Sequence, residues 1–290
     1  MRTVLKILAV SVVTTVFRIA MQMVIPEADQ NILQPSAFVA NGTLPLVFSV
    51  YALFVYGMLT AAFLMFCQGV SGGGIVQGLK YGTTLSCIWA TFMFEQLPHG
   101  TSFLLDNALY ALVDALALLV MGLLIGLLLA GKNNVPENAQ RKASSGSKVS
   151  SAKTAAWIPV TALAFVLGRL LQYNVFNTYS SFEAKPVITM LWCIGAGAVS
   201  AGVTIWFRNR AADTGKFRHP LAIACLLFAL NLAFFNFFMP LVLDVSVLDL
   251  LTRTGVDIAA ISLGLLIATS AVKEMKAASV EGLPESGSGR

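Results

Sequence analysis

Arg18, Asp114, Arg169 and Asp257 each stand inside a long apolar run of the chain. An ionisable side chain in the hydrocarbon of a bilayer is costly, so each of these groups needs a partner or a task. The chemistry open to them is ion pairing, binding of a charged solute, and proton exchange at a carboxylate. Helix rise, ~1.5 Å per residue, sets their depths. Arg18 lies twelve residues beyond Lys6, and Arg169 twelve beyond Trp157, roughly 18 Å in from one face. Asp114 lies eight residues beyond Asp106, and Asp257 eight beyond Asp249, roughly 12 Å in from the other. In a hydrocarbon core ~30 Å thick, the four groups meet at one level. The expectation is that Arg18 pairs with Asp114 and Arg169 with Asp257, for zero net charge between them.

Other residues bear on the same site. Arg253 lies four residues before Asp257, on one helical face with it, where the first half of the chain has Tyr110. The two halves are therefore not chemically equivalent. Asn231 and Asn236 are embedded in the aromatic stretch from Phe228 to Phe238, and buried amides seek partners. Asp106 and Asp249 read as caps at helix N-termini. Glu95 ends the third apolar run with no acidic counterpart in the seventh. His99 and His219 fall on opposite faces and make no common metal site. The four cysteines, Cys67, Cys87, Cys193 and Cys225, show no CxxC spacing and read as small core residues. No cofactor or metal is expected.

The elements that must position these groups follow from composition. The chain has 290 residues, 57% hydrophobic and 11% charged, with mean hydropathy +0.78. Such a balance excludes an ordinary soluble domain. Eight runs near membrane length fall at 4–24, 45–67, 77–97, 104–130, 155–176, 186–207, 219–241 and 249–271. Lipid offers backbone groups no partners, and the runs do not alternate, so helices are expected. Basic residues gather on one face: Arg2, Lys6, Lys80, the 132–153 loop, Arg208, Arg210, Lys216, Arg218, Lys273 and Lys276. Acidic residues gather on the other. The positive-inside rule then puts both termini in the cytoplasm. The net charge of +5 is thereby a matter of topology, and no nucleic-acid partner is expected.

The halves echo one another. Leu105-Asp106 and Val113-Asp114 recur as Leu248-Asp249 and Val256-Asp257, and Gly122-Leu123-Leu124-Ile125 as Gly264-Leu265-Leu266-Ile267. Arg18 and Val24 match Arg169 and Val175; Pro45, Ala61 and Phe66 match Pro186, Gly202 and Phe207; Pro98 matches Pro240. Four helices per unit make the repeats parallel, related by an axis along the membrane normal. The expected fold is an all-α integral membrane protein of eight transmembrane helices in two parallel four-helix repeats, N-in and C-in. Its parts are a first repeat at 1–131, a basic Ser-rich cytoplasmic linker at 132–153, a second repeat at 154–272 and a disordered cytoplasmic tail at 273–290. Gly122 and Gly126, Gly57 and Ala61, and Gly195, Gly197, Ala201 and Gly202 mark close helix contacts.

The leading functional expectation is a transporter or permease for a small polar, ionic or amphipathic solute. Its site would lie between the repeats and be lined by Arg18, Asp114, Arg169, Asp257, Arg253, Tyr110, Asn231 and Asn236, with proton coupling through Asp114 or Asp257 as a refinement. The same pairs would equally serve to lock the bundle. Membrane lipid is the expected surrounding partner, with a second copy or a membrane protein as alternatives. The rival functions are a non-catalytic membrane subunit or scaffold, and an intramembrane enzyme acting on lipid. No GxSxG elbow, Ser–Lys pair or His/Glu metal cluster supports the enzyme. Short loops point to a bacterial cytoplasmic membrane.

Overall fold

The computed structural model describes residues 1–25, 34–66, 70, 72–95, 98, 104–130, 157–209 and 220–281, apart from the side chains of 104–107, 220, 223 and 269–281. The linker at 132–153, both histidines, Cys67 and the end of the tail lie outside the described residues. Eight long helices carry the fold: α1 (Arg2–Gln22), α2 (Leu44–Phe66), α3 (Gly74–Met93), α4 (Leu104–Leu128), α5 (Trp157–Asn174), α6 (Pro186–Arg208), α7 (Pro220–Val242) and α8 (Val247–Glu281). A single short turn of helix, Ala37–Ala40, is capped by Ser36, whose hydroxyl accepts from Val39 N at 3.3 Å.

Six of the eight, α1, α2, α4, α6, α7 and α8, are long and apolar enough to cross a membrane. The coarse class is thus an all-helical, multi-pass membrane protein. The other two, α3 and α5, are the more polar, with Gln77 and Lys80 in one and Arg169 and Gln172 in the other. Gln77, Tyr81, Thr84 and Ser86 of α3 are buried, as are Thr161, Arg169 and Gln172 of α5. Their polar groups face protein.

The burial pattern is inside-out relative to a soluble bundle. α1 buries Ser11, Thr14, Thr15 and Arg18 while exposing Val4, Leu8, Val12 and Val16. The exposed residues recur every four positions, one stripe of an α-helix. In water such a helix would bury the opposite face. Facing lipid, the valines and leucines cost nothing and the polar groups are sheltered.

Successive helices alternate in direction. Lys6 Nζ of α1 donates to the Leu128 carbonyl at the end of α4, at 2.6 Å, a cation on a helix C-terminus. At the same end, the Arg208 guanidinium of α6 lies 4.7 Å from the Trp157 ring centroid of α5. At the opposite end, Pro35 forms an isolated bridge with Leu243, and the Ser36 hydroxyl donates to Leu241 O at 2.6 Å. α1 packs on α2 and α4, and α3 on α4. In the same way α5 packs on α6 and α8, and α7 on α8. Between these sets, α3 packs on α6 and α7, and α7 on α2.

Two contacts are tight enough to need glycine. Gly78 and Gly82 of α3 face Gly122 and Gly126 of α4. A methyl group on Gly82 would stand 2.8 Å from the Leu118 carbonyl oxygen, and one on Gly126 would stand 2.7 Å from Ile75 Cα. Backbones can come this close only without side chains. In the second set the tight contact is α5 on α8, where a methyl on Gly264 would stand 2.8 Å from Thr161 Cα. Gly122 and Gly264 hold matching sequence positions, yet one meets the third helix of its set and the other the first. α8 also runs on to Glu281, beyond the expected end of its apolar run at 271. The Ala-, Lys- and Glu-containing segment 271–281 has good helix formers throughout, so the expected disordered tail begins ten residues too early.

Candidate functional site

The first polar centre joins α1 to α4. Arg18 Nε donates to Asp114 Oδ1 at 2.5 Å, and Arg18 Nη1 donates to the Gln22 amide oxygen one turn along. Trp89 of α3 donates from its indole nitrogen to Asp114 Oδ2 at 3.1 Å. Both carboxylate oxygens therefore have donors. The guanidinium also sits 4.9 Å from the Phe48 ring centroid, a cation–π contact strengthened by burial. Beside this pair is a cavity walled by the rings of Phe48, Tyr51, Tyr56, Trp89 and Phe238. It offers about 20 Å³ to the centres of water-sized molecules, room for about one water.

The second centre joins α5 to α8 and recruits α3. Arg169 Nη2 donates to Asp257 Oδ2 at 2.6 Å, and Arg169 Nη1 donates to Glu95 Oε1 at 2.7 Å. Arg253 pairs with the same Glu95 oxygen. Gln172 completes the ring by donating to Asp257 Oδ1 at 2.7 Å. Two cations and two anions thus balance, which spares the bundle a net buried charge. The rings of Trp192, Phe165 and Phe92 surround the Arg169 guanidinium at 4.7, 5.3 and 5.8 Å. Arg169 is 1% and Asp257 0% exposed, so this centre is sealed.

The sequence pairing of Arg18 with Asp114 and of Arg169 with Asp257 matches the geometry. Arg253 joins the second centre through Glu95. Tyr110 is half-buried against the hydrophobic core and does not line the cavity. Asn231 donates to the Leu85 carbonyl of α3 at 3.0 Å, and Asn236 to the Thr254 hydroxyl of α8 at 2.7 Å. Both asparagines tie α7 to its neighbours rather than face the cavity. Asp249 accepts from Tyr179 N at 3.3 Å, so it secures the loop before α6 as well as sitting in the first turn of α8. The side chain of Asp106 lies outside the described residues.

Sequence reasoning missed Glu95, Trp89 and Gln172. The signal for Glu95 was charge arithmetic: Arg253 was a surplus cation and Glu95 a surplus anion near the same outer level. Trp89 and Gln172 gave no signal, because a donor's aim depends on helix rotation. Among the described residues, no three His, Cys, Asp or Glu side chains gather as metal ligands. Comparison with family models, curated proteins and solved structures finds no match to this chain.

Proposed function

We propose that the protein is a membrane carrier or permease for a small polar, ionic or amphipathic solute, held beside the Arg18–Asp114 pair. The observation that carries this reading is the cavity: a buried ion pair forms part of its wall, with five aromatic rings around it. A pair that only locked a bundle would be packed on all sides, as Arg169–Asp257 is. A dipolar solute could replace both halves of the Arg18–Asp114 pair at once and leave no net charge in the membrane. The rings would hold its apolar body, and its ammonium if it has one. With room for only about one water, the present conformation is the closed one of a carrier.

The reading includes eight spans in two parallel repeats with cytoplasmic termini, in a bacterial cytoplasmic membrane. Its support is the packing pattern. Exchanging α1–α4 for α5–α8 maps α1·α2 onto α5·α6, α1·α4 onto α5·α8, α3·α4 onto α7·α8, and α3·α6 onto α7·α2. The clustering of basic residues at one set of helix ends supports the orientation. A second reading, a scaffold or subunit for another membrane protein, is favoured by the sealed second centre, which acts as a strut.

The test is a thermal-shift panel of amino acids, organic cations and carboxylates on the purified chain, run beside Asp114→Asn. Stabilisation of the wild type, lost in a variant that still unfolds cooperatively, is the expected result. No response from any solute class, with co-purification of a second protein, would replace the carrier by the scaffold.

A further inference from the structure

Buried hydroxyls in these helices are mostly satisfied by the backbone one turn back. Thr84, Thr91, Thr189 and Thr254 donate to the carbonyls of Lys80, Cys87, Lys185 and Leu250 at 2.6–2.9 Å. Four hydroxyls at the α1–α2 contact are different. Ser11, Thr14, Thr15 and Thr60 are 0–4% exposed, and none has a hydrogen-bond partner among the described residues. An unsatisfied buried hydroxyl is costly. Four together on one seam are not packing accidents.

Their placement is ordered. Thr14 and Thr15 lie one turn before Arg18, and Ser11 one turn before them, so the row descends ~10 Å along α1 toward Met1. Across the seam, Gly57 faces Ser11: a methyl group there would stand 3.2 Å from the Ser11 hydroxyl oxygen. Tyr56, beside Gly57, lines the cavity at Arg18 and Asp114, and Thr60 lies one turn further toward the Met1 end. In the other helix set the position four before Arg169 is Phe165 instead of a threonine. Its ring is 0% exposed and lies against the Arg169 guanidinium. Buried, unpartnered Thr161, Ser200 and Thr204 lie beyond it, cut off from the charges.

We infer that the α1–α2 seam binds a file of water molecules that connects the aqueous phase at the Met1 end of α1 with the Arg18–Asp114 cavity. The hydroxyls supply two-sided hydrogen bonding for that file, and Gly57 keeps it open. The counterpart seam at α5–α6 is plugged by Phe165. This assigns the cavity to one face of the membrane, and it rests on the membrane-spanning reading of α1.

Single cysteines test it in the full chain, reconstituted in liposomes, with Cys67, Cys87, Cys193 and Cys225 replaced by Ser. The probe is a membrane-impermeant trimethylammonium methanethiosulfonate. Ser11→Cys and Thr15→Cys are expected to react at least tenfold faster than Val12→Cys and Val16→Cys, which face outward from α1, and than Ala162→Cys in the plugged seam. Equal rates at Ser11→Cys, Thr15→Cys and Ala162→Cys, all slow, would overturn the water file alone. Fast reaction at Val12→Cys and Val16→Cys would instead overturn the membrane reading beneath it. Thr14→Val and Thr15→Val, with the native cysteines kept, provide an independent readout. Removing a hydroxyl that binds water leaves Tm unchanged or lower, whereas a higher Tm would mean a dry seam and sink the proposal.

Discussion

Arg18 and Arg169 occupy matching places in α1–α4 and α5–α8, and each pairs with an aspartate on the last helix of its set. What surrounds them differs. In the first set the closest backbone contact is α3 on α4, through Gly78, Gly82, Gly122 and Gly126. α1 is then held more loosely, and space remains between Arg18 and the rings of α2. In the second set the closest contact is α5 on α8, through Gly264 and Gly168, which draws Arg169 onto Asp257. Phe165, Phe92 and Trp192 fill the rest. One arrangement of helices thus yields a polar centre with room beside it and another without. The difference teaches that the position of the small residues, not the charges, decides which ion pair is accessible.

The comparison can be broken most forcefully at the sealed centre. Asp257→Asn leaves Arg169 and Arg253 facing only Glu95, and is expected to cost about 3–5 kcal/mol, as for other buried pairs stripped of one partner. Asp114→Asn should cost about 1–2 kcal/mol, because a water in the cavity can solvate Arg18. Denaturation of both variants in detergent measures this, and equal losses would erase the distinction between the centres. Gly78→Val should come next, at about 3 kcal/mol or the upper end of overpacking penalties, since it forces α3 off α4. The same stability assay should show a smaller loss for Gly195→Val, where the added side chain meets open space.

The network is sharpened by a double-mutant cycle. Glu95→Gln and Arg253→Gln should each destabilise the protein, while the double variant recovers part of the loss, a coupling of about 1–3 kcal/mol. Additive losses would mean that Glu95 serves Arg169 alone. The smallest effect belongs to Trp89→Phe, which removes the indole donor to Asp114 at a cost of about 1 kcal/mol. Its tryptophan fluorescence, compared with the wild type, should become insensitive to any solute that binds the cavity.

Much of the frame was legible in the chain. The apolar runs located all eight helices because a spanning segment must be long, apolar and internally hydrogen-bonded. Depth from helix ends placed Arg18 opposite Asp114 and Arg169 opposite Asp257, since rise per residue is nearly constant. Gly122 and Gly126 were recognisable as a contact face, but Gly74, Gly78 and Gly82, at the same spacing in α3, were passed over. Tyr110 and the two asparagines were assigned to the site on type alone, and packing turned them elsewhere.

Sequence by itself therefore determined the helical class, the level of the four buried charges and which charge answers which. Those properties follow from one-dimensional quantities: hydropathy, rise and net charge. Only the tertiary structure decided that Glu95 would cross from α3 to the second centre, that Trp89 would complete the first, and that a cavity would lie beside Arg18 alone. These depend on helix rotation and on distances of closest approach. Both are set by how side chains from four different helices interlock, which no single stretch of the chain contains.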